Sequence, residues 1–348
     1  MSEYRIELKS YYFDCPKCRT RYELAYNMDG ESINECGNCA SKLIIDASHL
    51  KEMFVDPIAA YNLGMRAYNY GNWKDALKYF TAAAECNHPA SLNMLFLMYD
   101  AGTGTEQNTE IADSYLEKAA MMGDKNALVT YGNRLCNKGD TETASIYYKQ
   151  AINKGSADAM YNYALMVIDG LNGQKPEQSI LDLLERAGDM GLSEAYNKMG
   201  RVMAKLGRID VSFDWYKKAA NAGGASGQFN VGRFYYYGKE NGPDYPDKDI
   251  RKAYSYFLIS ARQYYPEAMF FLSSCYEKGE GVAEDIETSM IWLKRAAEQE
   301  QSLAQYKLGV WYLKNNNNDE GCKWIIRSKD NGQRLAINFY NQYMNNNS

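Results

Sequence analysis

Residues 268–297 read AMFFLSSCYEKGEGVAEDIETSMIWLKRAA. Ala268 and Ser273 stand five apart in a run that ends at the turn residues Gly279 and Gly281. Ser289 sits in a second run, where Trp292, Ala296 and Ala297 follow it at +3, +7 and +8. Those intervals place small and large apolar residues on one face of a 3.6-residue helix. The stretch therefore reads as two helices joined by a glycine-containing hairpin.

The same small positions recur along the chain. Ala59, Ser91, Ala127, Ala159, Ala195, Gly227, Ala268 and Ala304 open eight units. Five residues later come Gly64, Phe96, Gly132, Ala164, Gly200, Gly232, Ser273 and Gly309, of which only Phe96 is large. A third column, Ala76, Ala112, Ala144, Ile180, Ser212, Ala253, Ser289 and Gly321, precedes the next opening residue by 15 positions every time. The interval from the first column to the third instead ranges from 17 to 26 residues. A surface hairpin lengthens at little cost, whereas a packed junction does not. Each unit is thus predicted to be helix A, a variable loop and helix B. The loops agree: GNWKD, GDTET and GRIDV are short, and GTGTEQNTE, GLNGQKPEQ, GKENGPDYPDKD and GEGVAEDIE are longer and rich in turn formers. Counting 15 from Gly321 reaches Ala336, so residues 333–348 are expected to form an unpaired ninth A helix, a cap with a frayed tail.

These columns resemble the Sel-like repeat (SLR) family, relatives of tetratricopeptide repeats, whose pattern runs A-x-x-x-L-G-x-x-Y-x-x-G-x-G-x and then A-x-x-W-(Y/L)-x-K-A-A-x-x-G. Unit seven carries it as Ala268, Leu272, Ser273, Tyr276, Gly279, Gly281, Val282, Trp292, Leu293, Lys294, Ala296 and Ala297, and unit five supplies Trp215, Tyr216, Lys217, Ala219, Ala220 and Gly223. Four units depart from it with the short, tetratricopeptide-length hairpin, and unit six has an enlarged loop. The resemblance implies an all-α, α/α superhelical solenoid of eight helix-pair repeats over residues 58–332, with A helices on the concave side. Mapped onto tetratricopeptide relatives, the groove-facing residues are Tyr61, Met65, Tyr68, Asn93, Asn133, Tyr161, Asn197, Arg201, Lys205, Phe229, Arg233 and Tyr236. Tyrosine and arginine commonly dominate interface energies. Arg201, Lys205 and Arg233, on adjoining A helices, are placed to hold a carboxylate or an acidic side chain.

Residues 1–47 differ in kind, and residues 48–57 read as a linker or entry helix. Cys15-Pro-Lys-Cys18 and Cys36-Gly-Asn-Cys39 are two knuckles, each able to present two thiolates to one tetrahedral zinc ion. Apolar and polar residues alternate over 3–14, 19–28 and 42–46, which predicts short strands. The run C-P-x-C-x-T-x-Y from Cys15 to Tyr22 resembles a small, β-rich zinc ribbon found at the N-termini of many prokaryotic proteins. That implies one ion held by Cys15, Cys18, Cys36 and Cys39. Four thiolates leave no open position for water, so the expected role is structural.

Charge and composition narrow the function. A net charge of -5, with acidic residues outnumbering basic ones in 1–50 as well, argues against nucleic acid as a partner. The two histidines, His49 and His88, accompany no recognisable nucleophile motif, so no enzyme is expected. The G-x-G pairs at Gly102/Gly104 and Gly279/Gly281 fall in hairpins, as turns and not phosphate loops. No apolar stretch has the roughly 18 to 20 residues that cross a bilayer, and the start lacks a signal sequence. Cys86, Cys136, Cys275 and Cys322 occur singly, as in a reducing compartment. The expectation is a cytoplasmic, non-enzymatic scaffold or adaptor that binds a protein or peptide in its concave groove. Alternatives are a dedicated inhibitor or immunity-type protein and a ribbon-directed nucleic-acid-binding regulator.

Overall fold

The computed structural model describes residues 56–170 and 175–346 and, ahead of them, Arg19 and five short strands. These are β1 (Glu3–Glu7), β2 (Tyr12–Asp14), β3 (Arg21–Glu23), β4 (Glu31–Glu35) and β5 (Lys42–Asp46). β2 and β3 pair antiparallel with Phe13 opposite Tyr22. β4 and β5 do the same with Ile33 opposite Ile44, and β1 adds parallel to the other edge of β5. The alternating run 3–14 is thus two strands with different partners. β4 is a strand that alternation did not reveal, because Ile33 is its one apolar residue. Cys15, Cys18, Cys36, Cys39 and residues 48–55 lie outside the described residues.

The chain divides into two compact units, Met1–Ser156 and Ala157–Ser348. The first contains the strands and α1 (Pro57–Asn69), α2 (Trp73–Glu85), α3 (Pro89–Ala101), α4 (Thr109–Met121), α5 (Lys125–Asn137) and α6 (Thr141–Asn153). The second contains α7 (Ala157–Gly170), α8 (Gln178–Asp189), α9 (Ser193–Lys205), α10 (Ile209–Asn221), α11 (Ala225–Tyr237), α12 (Ile250–Arg262), α13 (Pro266–Lys278), α14 (Ile286–Glu298), α15 (Ser302–Lys314), α16 (Asn318–Asp330) and α17 (Arg334–Asn346). Odd-numbered helices are the A helices and even-numbered ones the B helices. Within each unit every helix packs on the next, giving an all-helical repeat stack.

Local chemistry sets the ends of these helices. Asp56, Asn72, Asn108, Asp124, Asp140, Asp249 and Asp285 each accept a hydrogen bond from a backbone N–H of the first turn, and proline opens α1, α3 and α13. Behind every paired B helix one residue adopts a left-handed conformation. It is Gly123, Gly155, Gly191, Gly223 or Gly332 at five places, and Asn87, Tyr264 or Glu300 at the other three. This shared turn is the physical content of the constant 15-residue step.

The interior of each pair is a notch and a knob. A Cβ on Gly64 would lie 2.6 Å from the Phe80 ring, one on Gly132 2.8 Å from Tyr148, one on Gly200 2.6 Å from Tyr216 and one on Gly232 2.7 Å from Phe257. Each ring belongs to a residue four after the third column, an additional column absent from the repeat as read from small residues. Its other members are Leu116, Leu184, Leu293 and Ile325, all buried. Leucine stands there where the A helix offers Phe96, Ala164 or Ser273, whereas four of the five glycines face a ring and Gly309 faces Ile325, and the pairs stay close-packed. Ser212 and Ser289, in the third column, donate to the carbonyls of Gly200 and Ser273, each at 2.8 Å. A hydroxyl thus sits in the core without an unmet bond.

The last described helix continues the stack. Ala336 is fully buried, α17 packs on α16, and the Phe339 ring stands 6.4 Å from that of Tyr306.

Candidate binding face of the A helices

The second glycine of each G-x-G hairpin has a packing role. A Cβ on Gly104 would meet the Trp73 carbonyl oxygen at 2.8 Å, and one on Gly281 would meet that of Ile250 at 2.6 Å. Both carbonyls belong to the first residue of the preceding B helix, so these loops lie against protein backbone. His88 is equally structural: its Nδ1 accepts from the Ser91 N–H at 3.3 Å as the cap of α3, and its ring lies 4.9 Å from that of Tyr61. Burial lowers its pKa, opposed by the nearby Asp124 and Asp56. No helix among the described residues is long and apolar enough to cross a membrane.

The twelve residues assigned to the groove separate into two groups. Phe229 is a correction: it is only 6% exposed, with its ring 5.3 Å from both Tyr265 and Phe271 and 5.8 Å from Phe257. Its position lies only about 60° around the helix from Gly232, near the packed stripe, so a large side chain there turns toward the next unit. Tyr61 likewise lies 5.9 Å from Phe80, and Tyr68 lies 4.9 Å from Trp73. Asn133 accepts from the Tyr148 hydroxyl at 2.7 Å. The Tyr236 hydroxyl donates to Glu280 at 2.7 Å, and burial together with that carboxylate raises its pKa. Met65, Asn93 and Tyr161 are half-buried.

Arg201, Lys205 and Arg233 are exposed, and none has a carboxylate partner among the described residues. α9 and α11 touch directly, and the Asn230 side-chain amide donates to Asn197 at 2.9 Å, tying the two A helices together. The Arg233 guanidinium sits 5.8 Å from the centre of the Phe229 ring and 5.9 Å from that of Tyr237, one helical turn to either side. Burial, and after it the charge of Glu267, pushes the Tyr265 hydroxyl up to about 12 against the pull of both Arg201 and Arg233. Tyr216 is also raised by burial and opposed by Ser212 and the same two arginines, and Tyr161 is raised by burial and then by Glu194, with Arg201 opposing. The two guanidiniums therefore act on one neighbourhood. Tyr265 and Asn230 belong to it but escape a reading by columns. Tyr265 lies in the junction, ahead of α13, and Asn230 is one residue off the groove register.

The first unit solves the same problem internally. Arg134, on the A helix α5, pairs with Asp100 and Asp113 and lies 5.1 Å over the centre of the Phe96 ring. Phe96, the large exception in the second column, is thereby covered by a cation whose charge the unit itself neutralises.

The family model for the Sel1 repeat matches residues 57–88, 89–124, 157–192, 193–224, 225–265, 266–300 and 302–332. The pair α5–α6 falls between the second and third of these segments. Chitin synthase regulatory factor 3 of Schizosaccharomyces pombe is 30% identical over 185 residues, 49% of this chain and 19% of its own length. Chitin synthase regulatory factor 4 of the same organism is 23% identical over 265 residues, 69% of this chain and 41% of its own. The chain thus spans less than half the length of either relative. The crystal structure of a Sel1 repeat protein from Oxalobacter formigenes aligns with a TM-score of 0.60 at 25% identity, covering 69% of this chain and 99% of that one.

Proposed function

The chain belongs to the Sel1 repeat family, and from that premise we propose that it is a non-enzymatic scaffold that regulates another protein by binding it on the inner face of its A helices. The observation that carries this reading is the set of exposed, unneutralised side chains Arg201, Lys205 and Arg233 beside Asn197 on touching A helices. Such groups offer directional donors without first breaking an internal ion pair. The relatives named as regulators of chitin synthase support a regulatory role. A photo-crosslinking residue placed at Lys205 is expected to trap the partner in cells, and one placed at Ile326 on the B helix α16 is not. Trapping at Ile326 alone would move the interaction to the other helix layer.

We further propose that the N-terminal residues hold one structural zinc through Cys15, Cys18, Cys36 and Cys39. Four thiols at that spacing are a soft tetrahedral donor set, and each of the strand pairs β2–β3 and β4–β5 brackets one C-x-x-C in sequence. Bound zinc contributes folding free energy on the order of 10 kcal/mol in such small domains. Metal analysis should return one zinc per chain, lost on Cys15→Ser/Cys36→Ser while the repeats stay helical. The reducing cytoplasm is the proposed compartment, in keeping with repeat cysteines that are thiols.

A further inference from the structure

We propose that Arg201 and Arg233 form a paired receptor for an extended, acidic segment of the partner, each guanidinium taking one Asp or Glu side chain about three residues from the other. The proposal rests on the scaffold reading above and names the chemistry of its ligand.

Three observations carry it. First, the two arginines occupy the same register on adjacent A helices, the seventh position counted from Ala195 and from Gly227. Packed helix axes stand about 10 Å apart, and an extended polyproline-II segment advances about 3.1 Å per residue with three residues per turn, so that side chains three apart share one face. Carboxylates three residues apart therefore match the spacing of the two helices. Second, the site is pre-organised. Phe229 and Tyr237 flank Arg233 on its own helix, and the Asn230–Asn197 bond holds α11 to α9 within one turn of both arginines. A guanidinium stacked on aromatic rings keeps its in-plane N–H donors available for a bidentate carboxylate. Third, the first unit shows what an A-helix arginine does when the chain supplies the acid: Arg134 gathers both Asp100 and Asp113. In the second unit Lys198, Lys218 and Lys307 have carboxylate partners at Asp169, Glu185 and Glu277. Arg201 and Arg233 have none among the described residues, and the acidic ligand would supply what Arg134 finds within its own unit.

A side-chain acid is favoured over a nucleic-acid phosphate because the chain as a whole carries a net charge of -5, which repels a polyanion and leaves only a short cationic patch. The test uses the full chain and a fluorescent peptide with blocked ends that repeats Glu-Gly-Gly, alongside its Lys-Gly-Gly counterpart. The glutamate peptide is expected to bind wild type. Arg201→Gln/Arg233→Gln should weaken it at least tenfold with an unchanged melting curve, and Arg251→Gln/Lys294→Gln, on B helices, should leave it unaltered. Should the glutamine variant unfold, Arg201→Lys/Arg233→Lys keeps the charge and removes the forked geometry, and a several-fold loss is expected. Charge reversal to Arg201→Glu/Arg233→Glu should switch preference to the lysine peptide. Equal binding by wild type and the glutamine variant overturns the proposal. So does binding that requires a free C-terminal carboxylate, or displacement of the peptide by a single-stranded oligonucleotide at lower concentration. A partner that crosslinks at Lys205 in wild type and glutamine variant alike, with peptide binding unchanged, defeats the acid receptor and leaves the scaffold standing. Absence of any crosslink on the inner face defeats the scaffold itself.

Discussion

Gly200 and Arg201 are bonded neighbours on α9, yet the space around them is governed by opposite conditions. A Cβ on Gly200 would stand 2.6 Å from the Tyr216 ring, whereas Arg201 is exposed and has no carboxylate partner among the described residues. Inside the pair every atom has a neighbour and volume is the controlling quantity. On the exposed face of α9 volume is free, and charge and hydrogen-bond donors are what remain to be satisfied. One helix thus carries a close-packed position and an exposed cationic one a single residue apart.

The largest effect should come from breaking the volume rule. Gly200→Val forces new carbon into the Tyr216 ring and is expected to cost about 3 kcal/mol, read as a lower denaturant midpoint; an unchanged midpoint would mean that the notch is slack. A sharper test copies the Ala164–Leu184 pair into the next repeat. Gly200→Ala and Tyr216→Leu should each destabilise by about 2 kcal/mol or more, but the double variant should lose at least about 1 kcal/mol less than their sum. Strict additivity in that cycle would refute size complementarity as the basis of the columns. Ser212→Ala removes the bond to the Gly200 carbonyl and should cost about 1 kcal/mol; a neutral result would assign the position to packing alone. At the far end of the scale, Arg201→Gln/Arg233→Gln should shift stability by less than about 0.5 kcal/mol, although it removes the proposed acid receptor. A substantial shift in melting would show that those arginines hold the fold.

Much of the helical frame was legible before any coordinates, because a small residue in a tight contact tolerates few alternatives. Ala336 is an instance: a count of 15 from Gly321 placed it, and it is fully buried. The knob column was harder to see, since Phe80, Leu116, Tyr148 and Ile325 share no obvious type. Each is fitted to the notch it faces, and a sequence displays the two members of a pair far apart. The face was less legible still. Whether Phe229 or Asn133 turns outward depends on Tyr265, Phe271 and Tyr148, which lie on other segments. In the N-terminal strands, Ile33 alone was too little pattern to announce β4.

The alternation of knobs also bears on how such a chain avoids misassembly. Near-identical repeats invite a B helix to dock on the wrong A helix, a characteristic failure of repetitive proteins. Here Tyr216 placed against Ala164 would collide, and Leu184 placed against Gly200 would leave a void. Each neighbouring pair in α7–α10 therefore carries its own address, written in side-chain volume, and a one-repeat slip is penalised in either direction.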